Sequence, residues 1–582
     1  MQIKRISLMR IFTLSLSLLL VYLMLNESFL VNGQNSKTDN TGVRRDFYDA
    51  QVIPHGSGKT TAPLGMVFTK DGSRLIAWGE DQFVSNWPVN NGVIDSDLKN
   101  TKHHRWQFYR ESFGIVASAV LTKDNRYLLV AGNAVNKNEV AFHNLNDNSS
   151  YGIYQENTKD TKRHFYSTMA FNEKDHQIIL GREDGGVEIR GLDVQNKKYA
   201  SQTILNFDEL KPEHPNAALV SLNQDQSKLF VFWYDGNWAF WNIENGKYVK
   251  GLTSNTLAMP KGTINKSADI SADFKWLAYS AYGEKQKVVI AVDFQTKKPN
   301  ILQKPMAEPG IRLEPFQVQF DQSNNLYVNY ISFANATNEV LGSILAKYEN
   351  SNSGFKLEKQ FIVDYQIQSF CIHPDQKHLA IAGGMKNEVS ILNFAEAPKV
   401  VSSLALKLYN FSEIQVSEEG KQLALRIDRN QDKWLTFDLE KKILLKKAPE
   451  QEWAKPITKK DGWTFKIDLN NKYIVILKNG DLTIPIQLDE DTGWIKCASF
   501  LPGKELKIVL GHRFGATLYE VNPVNKKAIV IKALRGHKKY VVALTPSANG
   551  DILYTCGDDF SVAAFSLKNL PLHPDIGVSV VL

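Results

Sequence analysis

Cysteine is scarce in this chain of 582 residues, which contains only Cys371, Cys497 and Cys556. Three thiols do not make a disulfide framework, and none lies in a CxxC pair or at a cysteine-histidine spacing that would hold zinc. A strong excess of charge of one sign is also lacking, because the chain has 69 Lys and Arg and 62 Asp and Glu, which gives a formal net charge of +7. The basic residues are scattered. We therefore expect no structural metal, no redox centre and no nucleic-acid partner.

Long apolar runs are absent after the first 33 residues. Within them an apolar stretch over 11–25 follows three basic residues, Lys4, Arg5 and Arg10. This stretch is shorter than the roughly 20 residues of a membrane-spanning helix, so residues 1–33 are predicted to be a cleaved signal peptide, followed by an N-terminal extension over 34–50. The alternative is an uncleaved anchor, which would be the chain's sole membrane link. In both cases we expect an exported protein that is periplasmic, envelope-bound or secreted.

Catalytic motifs are also missing. The sequence contains no Gly-x-Ser-x-Gly elbow, and no pattern of paired carboxylates, metal ligands or phosphate-binding glycines stands out. We therefore predict no catalytic residue, no cofactor-binding residue and no metal ligand.

A recurring turn organises the chain after residue 45. Its copies contain Asp or Asn with Gly or another polar residue and lie 48 to 54 residues apart over the first seven units, beginning at Asp71, Asp124, Asp175, Asp225, Asp273, Asp321 and Asp375. Weaker copies follow at Glu419, Asn470, Gly503 and Asn549. Asp, Asn and Gly favour tight turns because they tolerate left-handed dihedrals or bond their own backbone. The pattern indicates about eleven units.

The runs beside these turns predict strands. They are short and rich in β-branched and aromatic residues, as in the segments 75–78, 127–130, 229–233 and 276–280. No sustained helical period occurs after the signal segment. A unit of about 45 to 50 residues with three or four antiparallel strands has the size of one propeller blade. The predicted fold is all-β, with tandem β-propellers of about eleven four-stranded blades.

The last unit resembles the WD-repeat propeller family. Over 535–567 it has Gly536-His537, then Thr555, then Asp559, then Phe565 where the family usually has Trp. The resemblance implies that His537 bonds Thr555 and Asp559 inside the blade as a structural network. Phe565 lacks the indole donor that would complete it. Other units keep only parts of the pattern, such as Asp235 six residues before Trp241.

Eleven blades are too many for one ring, since propellers typically close with four to eight. We predict two rings, 51–350 and 355–582, divided at the polar stretch 349–354; seven blades plus four or five is the alternative. Ring closure usually needs a terminal strand, and the candidates are 51–53 and 576–582.

An aromatic group crowds one predicted hairpin. Trp233, Tyr234, Trp238 and Trp241 surround Gly236, and most such rings are expected to fill wedges between blades. If they face a propeller mouth, they form a binding surface for a sugar or a partner peptide.

The sequence favours a non-catalytic exported scaffold that binds a protein partner or an envelope component. A propeller enzyme, either a lactonase-like hydrolase or a quinone-type dehydrogenase, is one alternative, and a carbohydrate-binding propeller is another.

Overall fold

A computed structural model describes residues 47–49, 51–52, 61–79, 83–97, 100–105, 115–133, 140–146, 150–153, 166–193, 198–205, 217–253, 264–282, 287–296, 298–351, 354–384, 387–395, 397–404, 410–428, 433–441, 443–445, 453–468, 470–488 and 493–567. All regular elements in this part of the chain are strands, which confirms the all-β prediction. The predicted signal peptide and the strand predicted at 576–582 lie outside the described residues. No helix among the described residues is long and apolar enough to cross a membrane.

Seven sheets follow one another along the chain from residue 63 to residue 404, after the short strands β1 (Phe47–Asp49) and β2 (Gln51–Val52). We number these sheets blades 1 to 7. Blade 1 contains β3 (Pro63–Phe68), β4 (Arg74–Gly79), β5 (Phe83–Asn90), β6 (Val93–Ile94) and β7 (Lys102–Arg105), and blade 2 contains β8 (Ile115–Leu121), β9 (Tyr127–Asn133), β10 (Val140–Asn144) and β11 (Ser150–Ile153). Blade 3 contains β12 (Tyr166–Asn172), β13 (Gln177–Arg182), β14 (Val187–Asp193) and β15 (Lys198–Leu205), and blade 4 contains β16 (Ala217–Leu222), β17 (Lys228–Trp233), β18 (Trp238–Glu244) and β19 (Lys247–Thr253). Blade 5 contains β20 (Ile264–Ile270), β21 (Trp276–Tyr282), β22 (Lys287–Asp293) and β23 (Pro299–Ile301). Blade 6 contains β24 (Ile311–Phe320), β25 (Leu326–Ala334), β26 (Val340–Ser351) and β27 (Gly354–Val363). Blade 7 contains β28 (Ile367–Ile372), β29 (His378–Gly383), β30 (Glu388–Asn393) and β31 (Lys399–Leu404).

These seven blades close into a ring. The first strand of each blade contacts the first strand of the next, and β28 of blade 7 contacts β3 of blade 1. At this seam the Ile94 N–H donates to Ser402 Oγ at 3.0 Å, and the two blades share one apolar core. Residues 63–404 therefore form a seven-bladed propeller.

Four further blades, numbered 8 to 11, make up the rest of the described chain. Blade 8 contains β32 (Glu413–Val416), β33 (Gln422–Asp428), β34 (Lys433–Asp438) and β35 (Ile443–Leu445), and blade 9 contains β36 (Lys459–Lys460), β37 (Trp463–Ile467), β38 (Ile474–Asn479) and β39 (Leu482–Gln487). Blades 10 and 11 are built from β40 (Cys497–Phe500), β41 (Lys507–Asn522), β42 (Lys527–Pro546), β43 (Ile552–Gly557) and β44 (Val562–Ser566). The long β41 folds back on itself, because the Val521 N–H donates to Leu506 O at 2.8 Å. The first half of β42 belongs to blade 10, and its second half begins blade 11.

The four blades are joined pairwise around the second propeller. Blade 11 packs against blade 8, where Thr545 Oγ1 donates to Ile414 O at 2.6 Å. Apolar cores join blade 9 to blade 10 and blade 10 to blade 11, and a bridge between Val416 and Ala454 connects blade 8 to the segment that leads into blade 9. The described residues thus hold eleven blades in two propellers, as the repeat predicts.

The predicted boundary between the rings needs correction. Residues 349–351 and 354 belong to one hairpin of blade 6, in which β26 pairs with β27 and Ser351 faces Gly354. A two-residue hairpin tip has the same polar composition as a linker, and this misled the prediction. The rings instead divide between β31 and β32, in the seven-plus-four arrangement.

The first two described strands belong to the second propeller, not to the first. Strand β2 pairs with β44 and completes blade 11, and β1 pairs in parallel with β42 in blade 10. The prediction that 51–53 supplies a closing strand therefore agrees with the strand pairing, but it closes the ring formed by the C-terminal blades.

The recurring turn is built from side-chain hydrogen bonds. In blade 4, Asp225 Oδ1 accepts the Ser227 N–H at 3.0 Å and Asn223 Oδ1 accepts the Lys228 N–H at 2.8 Å. Gln226 between them adopts a left-handed φ of 58°. The carboxylate therefore holds the turn while its neighbour, even when it is not Gly or Asn, takes the left-handed conformation.

Apolar wedges between blades form the core. In β17, Val231 and Trp233 pack against blade 3, whereas Phe230 and Phe232 pack against blade 5. Both faces of such a strand are covered, so its sequence is a continuous apolar run rather than an alternation of apolar and polar residues.

We expect the N-terminal strands to stabilise the second propeller. A chain that begins at residue 61 lacks β1 and β2, whereas a control chain that begins at residue 45 keeps them. Losing several ladder hydrogen bonds, each worth about 1 kcal/mol, should lower the Tm of the second propeller by roughly 5 °C or more. Differential scanning calorimetry measures this shift, and equal melting profiles for the two chains would contradict the closure by these strands.

Candidate functional site

The aromatic group predicted as a possible binding surface lies inside the first propeller. Trp233, Trp238 and Trp241 are all buried, and Tyr234 is half-buried. The Trp233 indole N–H donates to Gly185 O of blade 3 at 2.9 Å, and burial raises the pKa of the Tyr234 hydroxyl. These rings fill the wedges on both sides of blade 4 and therefore offer no stacking surface to a sugar or peptide. Of the two roles considered for this aromatic group, the structure supports packing between blades.

The structure brings together the residues of the predicted blade network. His537 Nε2 lies 2.8 Å from Thr555 Oγ1, and His537 Nδ1 lies 3.0 Å from Asp559 Oδ1. Ser561 joins the network, because its hydroxyl donates to Asp559 Oδ1 at 2.6 Å. Phe565 is fully buried in the core between blades 10 and 11 and makes only apolar contacts there.

This network has no access to a substrate. The side chain of His537 is fully buried, and that of Asp559 is only 9% exposed. A satisfied buried polar network fixes one arrangement of the blade. Its geometry therefore fits the structural role that the resemblance implies, although it contains the residue types of a nucleophilic triad.

The three cysteines offer no reactive thiol. Cys371 and Cys556 are buried and Cys497 is half-buried, and burial raises the pKa of each thiol far above its ordinary value. A thiol held in its protonated form is neither a good nucleophile nor a good metal ligand.

A different group of residues is accessible in the second propeller. We call it the Trp494 cluster; it consists of Lys472, Trp494, Lys496 and Tyr540. Lys472 Nζ lies 4.4 Å from the Trp494 ring centroid, and Lys496 Nζ lies 5.8 Å from it and 5.2 Å from the Tyr540 ring. The two aromatic rings are 6.3 Å apart and inclined by 31°. Trp494 is 41% exposed, which is unusual for so large an apolar side chain.

Three loops build this cluster. Lys472 comes from the turn between β37 and β38, Trp494 and Lys496 from the segment before β40, and Tyr540 from the bend within β42. Backbone hydrogen bonds fix these segments. The Ile495 N–H donates to Lys472 O at 2.8 Å and joins two of them, and the Asp558 N–H donates to Tyr540 O at 2.9 Å and holds the third against the turn after β43.

A cavity of about 600 Å³ adjoins the cluster, and Lys496 lines it. Its wall combines apolar and polar side chains from blades 8, 10 and 11, namely Asn410, Phe411, Ser412, Ile427, Lys496, Val542 and Asp558. The lining holds one carboxylate and one amine and has neither histidine nor cysteine. A cavity with mixed apolar and polar walls that is linked through Lys496 to an exposed indole is suited to binding.

Sequence reasoning missed the Trp494 cluster. Its members lie far apart in the chain and belong to loops whose convergence only the fold determines. One signal was present, because Trp494 follows the polar run 489–493 and lies outside every apolar strand pattern.

No protein-family model matches the sequence, and neither does any curated protein. Among solved structures, the chain is similar to hydrazine synthase of Kuenenia stuttgartiensis, at 11% identity and a TM-score of 0.41, over 61% of this chain and 99% of that one. It is similar to U3-55K at 13% identity and a TM-score of 0.41, over 62% and 98% of the two chains. A chain of the mitotic checkpoint complex gives 11% and 0.39, over 59% and 91%. At these TM-scores the similarity supports no further conclusion, and the assignment of the propeller fold rests on the strand pairing described above.

The blade network should contribute to stability as a unit. His537→Ala removes the partner that Thr555 and Asp559 share, and we expect it to lower the free energy of unfolding of the second propeller by about 2–4 kcal/mol. Thr555→Val should lower it by less, and the double variant should fall short of the sum of the two, with a coupling of about 0.5–3 kcal/mol. Denaturant unfolding measures all three variants, and strict additivity would show that the residues act independently.

Proposed function

We propose that this protein is an exported, non-catalytic propeller scaffold that binds a protein partner through the Trp494 cluster and the cavity beside it. The exposed Trp494 is the observation that carries the proposal. Tryptophan and tyrosine are enriched among the few side chains that carry most of the binding energy at protein interfaces.

The composition of the site supports binding rather than chemistry. The cavity lining combines three apolar side chains with one lysine, one carboxylate and the neutral polar residues Asn410 and Ser412. General acid–base or nucleophilic catalysis needs groups of matched function in contact with each other, and the cavity lining does not provide such a set.

The side chains of the Trp494 cluster and the cavity indicate the chemistry of the partner. The two lysines lie against the aromatic rings, and Asp558 adds a carboxylate to the cavity lining. Charges of both signs favour a polypeptide with mixed polar contacts over a polyanion. We infer that the partner presents an apolar side chain to the cavity and packs its neighbouring residues on Trp494 and Tyr540.

A saccharide is a second candidate ligand, because a partly exposed indole is also a stacking surface for a sugar ring. Lys472 lies over the Trp494 ring, so a sugar would have to use the rest of its exposed surface.

Export is part of the proposal and rests on the basic residues and the apolar stretch within residues 1–33. It places the partner in the cell envelope or outside the cell.

The proposal predicts that binding depends on two aromatic side chains. The chain from Gln34 onward serves as bait for the envelope fraction of the source organism, and retained proteins are quantified by mass spectrometry. We expect Trp494→Ala and Tyr540→Ala each to reduce retention of a specific protein at least about 30-fold, because hot-spot truncation costs about 2 kcal/mol or more.

Val524→Ala is the matched control. Val524 is 89% exposed and lies in the hairpin between β41 and β42, so its truncation removes an exposed apolar side chain outside the cluster. Retention of the same protein by the control, with loss in both aromatic variants, supports the proposal. Equal retention by all variants would overturn it, and retention of glycan in place of protein would favour the second candidate.

A further inference from the structure

The turn of blade 7 differs from the turns of the other blades. In six of them a small polar side chain accepts the backbone N–H five residues later, with the acceptors Thr69, Thr122, Asn223, Ser271, Ser417 and Ser547. His373 occupies this position in blade 7, and His378 is the residue five positions later. The His378 N–H instead donates to Asp375 Oδ1 at 3.0 Å. Blade 7 thus has two histidines and a carboxylate in one short turn.

The seam between blades 7 and 1 fixes the orientation of His373. Its Nε2 lies 3.1 Å from Gly72 O of blade 1. A carbonyl oxygen only accepts hydrogen bonds, so Nε2 carries the proton. Nδ1 then accepts the Asp375 N–H at 3.1 Å, and Asp375 Oδ1 lies 3.0 Å from the same nitrogen. A metal ion bound at Nδ1 would take the place of this backbone hydrogen bond, with the carboxylate already beside it.

His378 completes the group on the other side of the carboxylate. Its Nδ1 lies 2.7 Å from Asp375 Oδ2, and the two imidazole rings stand nearly perpendicular with centroids 5.9 Å apart. Each of the three residues offers one ligand atom, and these atoms all lie within 4.8 Å of one another.

Glycines of blade 1 pack against the two imidazole rings, while the group remains partly exposed to solvent. A Cβ on Gly72 would come within 2.2 Å of His373 Nε2, and one on Gly92 within 2.7 Å of the His378 ring, so both imidazoles rest against glycines of blade 1. The side chains of His373, Asp375 and His378 are 12%, 35% and 16% exposed. Water therefore reaches the group while its rings are fixed.

We propose that His373, Asp375 and His378 bind a divalent transition metal ion of the zinc class at the seam of the seven-bladed ring. Two imidazoles and one carboxylate are a ligand set that Zn²⁺ accepts, with water in the remaining position. The Gly72 carbonyl on Nε2 is the outer-shell partner that metal-binding histidines usually have. Zinc ligands stand about 3.3 Å apart in a tetrahedron, and the three ligand atoms lie within 4.8 Å of one another, so the side chains have to close around the ion when it binds.

The position gives the metal a consequence for the fold. His373 and His378 belong to the last blade of the ring, and both rings contact the first blade. A metal ion that fixes the two imidazoles holds the turn of blade 7 against blade 1. It stabilises the folded ring by mass action, because the unfolded chain does not present the three ligands together.

Metal titration of the chain from Gln34 onward tests the proposal. After chelation and dialysis, Co²⁺ is added and its visible absorption is followed, and Zn²⁺ is then used to displace it. We expect one ion per chain, and a Tm of the first propeller that rises with Zn²⁺. His378→Gln and Asp375→Asn should each weaken Zn²⁺ binding at least about 100-fold and abolish the rise in Tm.

Asp225→Asn is the matched control, because Asp225 holds the equivalent turn of blade 4, where Asn223 and Lys228 replace the two histidines. Its Zn²⁺ affinity should stay within about twofold of the parent chain. Melting in chelator shows that each variant is folded. No stoichiometric binding by the parent chain would overturn the proposal. Unchanged binding by both variants would overturn it as well, since the ion would then lie elsewhere.

Discussion

The packing of one blade against the next is the interaction on which the rest of this structure depends. The central strands are apolar on both faces, as in β17, where Val231 and Trp233 face one neighbour and Phe230 and Phe232 face the other. A single blade would leave both faces in water, so blades are stable only in a series. A series must end, and closing it into a ring removes both exposed ends.

Closure is achieved differently in the two propellers. The seven-bladed ring closes by direct contact of blade 7 with blade 1, through a shared apolar core and the bond from His373 to Gly72. The four-bladed ring also takes up strands from the beginning of the chain, since β2 completes blade 11. From β1 onward the described chain therefore runs from the second propeller through the whole of the first and back to the second. This route explains why a boundary cannot be found by dividing the repeats in sequence order.

The turns, the strands and the number of blades could be predicted from sequence because they depend on local chemistry. Asp225 and Asn223 shape their turn through bonds within a few residues, and the repeat multiplies that signal along the chain. The network of His537, Thr555 and Asp559 could be predicted because it lies within one blade and follows a known pattern. The ring boundary could not, because the hairpin tip at 351–354 has the composition of a linker.

Sites formed between loops were beyond the sequence for a physical reason. Lys472, Trp494 and Tyr540 meet only because blades 9, 10 and 11 are neighbours. The aromatic group around Gly236 was ambiguous, because indoles that fill a wedge and indoles that bind a ligand have the same sequence signature. The turn of blade 7 is an intermediate case. His373 and His378 lie close in sequence, but only a comparison with the other turns shows that two histidines replace ordinary polar residues there.

The central claim is that the second propeller carries the binding surface, and a hydrogen-exchange footprint of the protein with its captured partner tests it most directly. The account predicts slower amide exchange in three segments, 410–412, 472–473 and 494–496, when the partner is bound, with little change in the blades of the first propeller. Protection confined to the first propeller, with unchanged exchange around Trp494, would contradict it.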